Sequence, residues 1–344
     1  MRTILVTGGA GFIGSNLVYY LSEQYPDDRI VVLDALTYAG STENLPANAY
    51  LGENPRLHFW YGNVCNGAIV ETLVQEADVV IHLAAETHVT RSIYDSLLFF
   101  QTDVIGTQTI ANAILKARGK VKRFIHVSSS EVYGTARSEM MSEAHPLEPM
   151  SPYASAKCGA DRLVFSYWAT YRIPAVIVRP FNNYGPRQHL EKVVPRFITG
   201  VLLHEPLSVH GTGQSARDFL YVEDTCRGID AVLSAPSELV EGEVFNLASG
   251  DHRSIHSIAC DVVDMMNCDR NCIQSVGERP GQVVRHTGDW SKIKNILNWA
   301  PQVSWQDGLK RTIQWYKENQ ASWSKQLFMR RIPIITATGK IEYH

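Results

Sequence analysis

An α/β fold built on a parallel, doubly wound sheet is predicted by three features of this sequence. Short apolar runs recur along the chain, helix-length segments separate most of them, and the first run ends in a glycine-rich turn that opens the first helix. The runs lie at residues 4–7, 30–34, 57–61, 79–82, 124–128, 175–179 and 244–247, and each reads as a buried strand. Helix signals fit between them: residues 15–21 follow the glycine turn, while 104–118 and 154–171 carry apolar residues at helical spacing. Parallel strands joined by crossovers place ligands at their carboxyl ends. After Pro180 the texture changes, with Pro186, Pro195, Pro206, Gly211, Gly213, Pro280, Gly281 and Pro301 dividing shorter elements, as in a smaller mixed α/β lobe. The expected organisation is a sheet domain over 1–180 that takes back a strand near 243–248. An interleaved lobe covers 181–324, and a tail of unassigned role covers 325–344. There is no repeat, low-complexity segment or Gly/Ser linker, so the lobes are expected to share one body with a cleft between them.

A length of 344 residues suits one large or two closely joined domains, and 45% apolar with 19% charged residues describes an ordinary globular chain. The 32 basic residues are outnumbered by 35 acids, giving a net charge of −3 and no basic field for nucleic acid. An anionic small ligand needs only a few local arginines. The apolar stretch Thr3 to Ala10 runs straight into the glycine turn without a cleavage site, so neither membrane nor export is expected and the chain reads as cytoplasmic. Cys65, Cys158, Cys226, Cys260, Cys268 and Cys272 form no CxxC and read as reduced thiols. No HExxH is present and no metal site is expected.

Gly8-Gly9-Ala10-Gly11-Phe12-Ile13-Gly14 sits between the first strand and the first helix. A pyrophosphate bound there needs a tight turn, close backbone approach and a helix N-terminus aimed at it, and glycines at 8, 11 and 14 allow all three. Asp34 ends the second strand, where a carboxylate can hold ribose hydroxyls. It would repel a 2′-phosphate, so NAD is expected in preference to NADP.

The spacing of these glycines resembles the extended short-chain dehydrogenase/reductase family, and that resemblance implies a Rossmann domain with a nucleotide-sugar lobe. It also implies cofactor contacts for Phe12, Ile13, Leu36, Thr37, Gly40, Leu83, Ala84, Ala85, Thr87 and Ser128. Asn63-Val64 stands where the family has an adenine-contacting Asp and an apolar neighbour; the Asn amide oxygen still accepts from an adenine amino group. Asp103 stands where the family usually has Asn.

Tyr153 and Lys157 are spaced i,i+4 and share a helix face. A phenol loses its proton near pH 10, so it serves as a base only beside positive charge; the lysine ammonium and an oxidised nicotinamide ring would supply that. The family's hydroxyl matches Ser129, placed to donate to the substrate oxygen being oxidised. Ser129-Ser130-Glu131-Val132-Tyr133-Gly134 resembles the Thr-Asp-Glu-Val-Tyr-Gly of dTDP-glucose 4,6-dehydratases, whose carboxylates perform an elimination. The resemblance implies that, after oxidation at C4, Glu131 removes the C5 proton, water leaves C6 and the stored hydride returns to C6. Ser130 departs from the pattern: a serine is too weak an acid to protonate the leaving hydroxyl, so Glu131 would have to carry that proton as well. Thr-Ser-Glu occurs at this place in GDP-mannose 4,6-dehydratases and UDP-glucuronate decarboxylases.

By the same resemblance the nucleoside-diphosphate sugar would be held by His88, Asn182, Glu191, Lys192, Arg217 and Arg279, with Ser208 and His210 in the segment that cradles the base. The expected activity is a sugar-nucleotide 4,6-dehydratase; decarboxylation of a UDP-hexuronic acid and C4 epimerisation are the rivals, and a non-catalytic NAD-binding scaffold is the alternative of another class. The family further implies a homodimer built from helices near 104–118 and 154–171.

Overall fold

The computed structural model describes residues 1–50, 54–277, 285–330, 333–335 and 340–343. The strands are β1 (Thr3–Thr7), β2 (Arg29–Asp34), β3 (Leu57–Tyr61), β4 (Val79–His82), β5 (Arg123–Val127) and β6 (Ala175–Pro180). There follow β7 (Asn182–Tyr184), β8 (Leu207–His210), β9 (Ala216–Tyr221), β10 (Val244–Leu247), β11 (His252–Ser254) and β12 (Ile273–Val276), then the hairpin β13 (Pro333–Ile335) and β14 (Ile341–Tyr343). All seven apolar runs enter one sheet of order β10-β6-β5-β4-β1-β2-β3, with every neighbouring pair parallel. The chain fills one side of β1 with β2 and β3 and the other with β4, β5 and β6, so the order reverses between β1 and β4. That is where a doubly wound sheet opens a crevice.

Alternation along the strands supplies both faces of the sheet. Ile4, Val6, Val32, Ile81 and Ile125 pack on one side with Leu17, Val18 and Leu21 of helix Phe12–Gln24 and with Ile229 and Val232 of helix Val222–Ser234. Leu5, Val31, Val80 and Phe124 pack on the other with helices Gly67–Glu76, Gly106–Lys116 and Pro152–Tyr171. A separate core joins helices Val193–Leu202, Ile255–Met265 and Trp305–Glu318 over the small sheets β11-β9-β7 and β12-β8.

The helices depart from their expected ends for local reasons. The first starts at Phe12, because extended Gly11 is its N-cap. The helix expected from 154 starts at Pro152: the Ser151 hydroxyl accepts from the Ala154 N–H at 3.1 Å, and proline suits the first turn. The helix expected from 104 begins at Gly106, after a π turn over Phe100–Ile105 that turns Asp103 inward. None of the six cysteines is joined in a disulfide. No helix among the described residues is long and apolar enough to cross a membrane. Part of the tail docks on the second lobe, where Arg330 donates to Glu205 at 2.7 Å and to the Arg196 carbonyl at 3.0 Å.

Candidate active site

A cavity of about 500 Å3 opens at the carboxyl ends of β1, β4 and β5 and is walled by both lobes. Gly8, Gly11, Phe12, Ile13 and Gly14 form its floor. Two glycines there are obligatory: Gly8 has φ +70°, and a Cβ on Gly14 would stand 2.1 Å from the Gly8 carbonyl oxygen. Gly11 caps the helix without a side chain, so the first-turn N–H groups have no side-chain cap and suit a phosphate.

Asp34 borders this floor. Its carboxylate is aimed by two backbone donors, Ala10 N–H at 2.9 Å and Leu36 N–H at 2.8 Å, and burial pushes its pKa up from the usual carboxylate value. Thr37, Gly40, Asn63, Val64, Leu83, Ala84, Ala85, Thr87 and Ser128 line the cavity as the family pattern implies. Leu36 does not. It occupies a left-handed turn with φ +48°, and its side chain packs against the core, so its contribution is the N–H that orients Asp34.

Ser129, Ser130, Glu131, Tyr153 and Lys157 converge on the same cavity. Ser129 caps the 3-10 turn Ser130–Tyr133 by accepting from Glu131 N–H at 3.2 Å, which fixes the glutamate one step beyond β5. Burial pushes the Tyr153 phenol up to about 12; Ser129 and Thr87 hydroxyls oppose that, while Asp103 and Glu131 add to it. Lys157 lines the cavity together with Tyr153. Its Nζ donates to the Val127 carbonyl at 2.8 Å; burial lowers its pKa, and the charges of Asp103 and Asp161 oppose that. The ammonium is thus anchored to the end of β5. Asp103 accepts from Glu86 N–H at 2.7 Å through one oxygen, and burial lifts it to about 7.

The second lobe closes the far end. Alternation on β8 buries Leu207 and Val209 in the lobe's core and leaves Ser208 and His210 on the cavity. His88, with φ +107°, and Asn182, Lys192 and Arg217 also line it. Arg279 lies outside the described residues. Glu191 lines the cavity, but its carboxylate is engaged by the protein itself: Tyr38 Oη donates to Oε1 at 2.8 Å and Arg91 Nε to Oε2 at 3.0 Å, with Arg91 stacked 3.9 Å over the Tyr38 ring. Glu191 is therefore a strut between the lobes as well as part of the cavity wall.

Tyr38, Arg91 and His286 are the residues that sequence reasoning did not single out. The first two stand in segments whose family likeness was plain, yet their shared partner Glu191 is distant in the chain. His286 carried no signal. It is buried behind Glu131, with its Nδ1 4.0 Å from the Glu131 Oε1.

A glycine floor at a helix N-terminus, an acid at the second strand and a Tyr-x-x-x-Lys pair at the switch point define a dinucleotide-dependent short-chain dehydrogenase/reductase of the extended type. The chain belongs to the GDP-mannose 4,6 dehydratase family, whose sequence model matches residues 5–312. It is 42% identical to the low-salt glycan biosynthesis protein Agl12 of Haloferax volcanii, over 91% of this chain and 98% of that one. It is 38% identical to a dTDP-glucose 4,6-dehydratase of Actinoplanes sp., over 93% and 99%. The crystal structure of DesIV, a dTDP-glucose 4,6-dehydratase from Streptomyces venezuelae with NAD and TYD bound, superposes with a TM-score of 0.88 at 39% identity, covering 94% of this chain and 99% of that one.

Proposed function

We propose that the chain is an NAD-dependent sugar-nucleotide 4,6-dehydratase that converts a nucleoside-diphosphate hexose to its 4-keto-6-deoxy form. The observation that carries this reading is the convergence of Ser129, Glu131, Tyr153 and Lys157 on one cavity whose floor is the glycine turn. The residues fit the cofactor: Gly8 and Gly14 let the turn fold tightly against its own backbone and that of Leu83-Ala84, the first-turn N–H groups carry no side-chain cap, and backbone donors orient Asp34 beside them. Bound NAD supplies the acceptor for hydride from C4 and its later donor to C6. Tyr153 takes the proton of the C4 hydroxyl, Ser129 donates to that oxygen, and Lys157 holds positive charge beneath it. Glu131 takes the C5 proton, which the new ketone acidifies, and delivers it to the departing C6 hydroxyl; once hydride has returned to C6, a proton from water completes C5. Lys192 and Arg217 hold the diphosphate, Asn182 and His88 the sugar, and Ser208 with His210 the base.

The sheet domain over 1–180 with its returning strand holds the cofactor, and 181–324 holds the nucleotide. Water-exposed apolar side chains at Leu97, Phe100, Ile105, Leu115 and Phe165 cover the face of helices Gly106–Lys116 and Pro152–Tyr171 and their lead-in, and this supports a homodimer through that face. The chemistry suits the cytoplasm, where nucleotide sugars and NAD are at hand.

Incubating the chain and NAD with dTDP-glucose, UDP-glucose, UDP-N-acetylglucosamine, GDP-mannose and UDP-glucuronate, followed by product mass spectrometry, tests the reading. Loss of water from a neutral hexose is expected. Loss of carbon dioxide from the glucuronate alone, or a change of configuration without change of mass, would assign the chain to a decarboxylase or an epimerase instead.

A further inference from the structure

His286 lies on the second lobe with no exposed surface, at the back of the Glu131 carboxyl. Its Nε2 is 2.5 Å from the Gly134 carbonyl oxygen, an atom that can only accept, so the ring proton sits on Nε2. The other nitrogen, Nδ1, is then a bare lone pair. It is buried, has no hydrogen-bond partner among the described residues, and faces Glu131 Oε1 at 4.0 Å. Burial lowers the pKa of the ring, with Arg217 and His145 adding to that against Glu131 and Gly134, so the neutral imidazole is the resting form.

A lone pair gives nothing to a carboxylate and accepts a hydrogen bond from a carboxylic acid. On the opposite account Arg217, whose main charged neighbour is Glu131, favours the ionised carboxylate. Glu131 therefore has a guanidinium as a charged neighbour and a bare imidazole nitrogen at its back.

We propose that His286 is a positioning residue that holds Glu131 in its protonated state between loss of the C5 proton and departure of the C6 oxygen. The inference rests on the reading of Glu131 as the group that performs the elimination. In that step the C5–H bond breaks and its proton passes to a Glu131 oxygen. The C5 electron pair forms the C5–C6 double bond as the C6–O bond breaks, and the same proton leaves with the oxygen as water, returning Glu131 to the carboxylate. Because Ser130 supplies no acid for the leaving group, the proton has to wait on Glu131, and an acceptor at its back keeps the acid oriented while it waits.

Two variants separate the ring nitrogens. His286→Gln keeps a donor for Gly134 and removes the acceptor facing Glu131; His286→Asn keeps an acceptor near the Nδ1 position and gives up the Gly134 bond. In single turnovers of the dehydrating sugar, His286→Gln is expected to leave C4 oxidation, followed by reduced-cofactor absorbance, within about twofold and to slow 4-keto-6-deoxy product about tenfold or more. His286→Asn is expected to recover part of that loss. Nitrogen NMR of the histidine-labelled wild-type protein is expected to show His286 protonated at Nε2 alone, a readout that needs no turnover. Equal slowing of oxidation and product, an unchanged product rate, or a proton on Nδ1 overturns the proposal while dehydration by the wild type stands. A wild-type chain that dehydrates none of the sugars overturns the function, and this inference with it.

Discussion

Lys157 Nζ lies 2.8 Å from the carbonyl oxygen of Val127, the last residue of β5, and this bond fixes the ammonium under the cavity. The bond also ties helix Pro152–Tyr171 to the sheet. Lys157→Met removes the charge and leaves a buried carbonyl unpaired, a loss of about 1–3 kcal/mol. Turnover is expected to fall about 100- to 10,000-fold. Tyr153→Phe should match that loss of turnover without the loss of stability, since it deletes only a hydroxyl. Because burial holds the phenol up at about 12, the cofactor-free protein keeps it protonated, and wild-type turnover should rise as pH rises. Steady-state rates against pH, together with urea unfolding of both variants, check the pair of outcomes.

Asp103 makes stability pH-dependent. Burial raises its pKa to about 7, above the unfolded value, so between about pH 4 and 7 the folded chain holds a proton that the unfolded chain has lost. Stability linked to this group is complete below the unfolded value and declines as pH rises through the folded one. Asp103→Asn is expected to flatten that decline. Melting temperatures of the two proteins at pH 5.5 and pH 8, measured without cofactor, read it as an interaction between substitution and pH.

Gly14→Ala tests the floor of the cavity. The added methyl would meet the Gly8 carbonyl oxygen at 2.1 Å, a distance that only a shift of the backbone relieves. Overpacking of this kind costs about 1–3 kcal/mol. Displacement of the turn should weaken NAD binding by tenfold or more, and calorimetric titration with NAD measures it. An affinity equal to that of the wild type would remove the pyrophosphate from this turn.

Arg179 and Asp161 form a buried bidentate pair, with Nε to Oδ2 at 2.8 Å and Nη2 to Oδ1 at 2.9 Å, and Arg179 also donates to the Tyr133 hydroxyl at 2.9 Å. Arg179→Met leaves the buried Asp161 carboxylate with Arg162, whose Nε donates to Oδ1 at 2.9 Å, as its remaining cation, so about 1–3 kcal/mol of stability should be lost at pH 7. The guanidinium holds the Asp161 pKa well below the usual carboxylate range despite burial. The stabilisation is therefore present above the ordinary carboxyl pKa and is lost as pH falls through the folded one. Denaturant unfolding at pH 7 and pH 3 should show the gap between wild type and variant narrowing in acid.

Leu97 and Ile105, 64% and 49% exposed, stand on the apolar face assigned to a second copy. In light scattering at matched concentration the wild type is expected to run as a dimer and a Leu97→Asp, Ile105→Asp double variant as a monomer. A monomeric wild type would remove the assignment.

Much of this architecture was legible in the order of residues, because the determinants of a parallel sheet and of a glycine floor are local. Seven apolar runs became seven neighbouring strands, and the turn at Gly8 to Gly14 needs only the residues inside it. The i,i+4 spacing of Tyr153 and Lys157 and the Ser129 cap that presents Glu131 are likewise properties of single segments. What tertiary structure decided is how groups remote in the chain share charge and protons. Lys157 bonds β5, Glu191 spends its carboxylate on Tyr38 and Arg91, Asp103 is turned inward by a π turn, and His286 backs Glu131. A sequence specifies which side chains can ionise, but burial and the partner across the cleft set the proton each one holds, and both exist only once the lobes have packed.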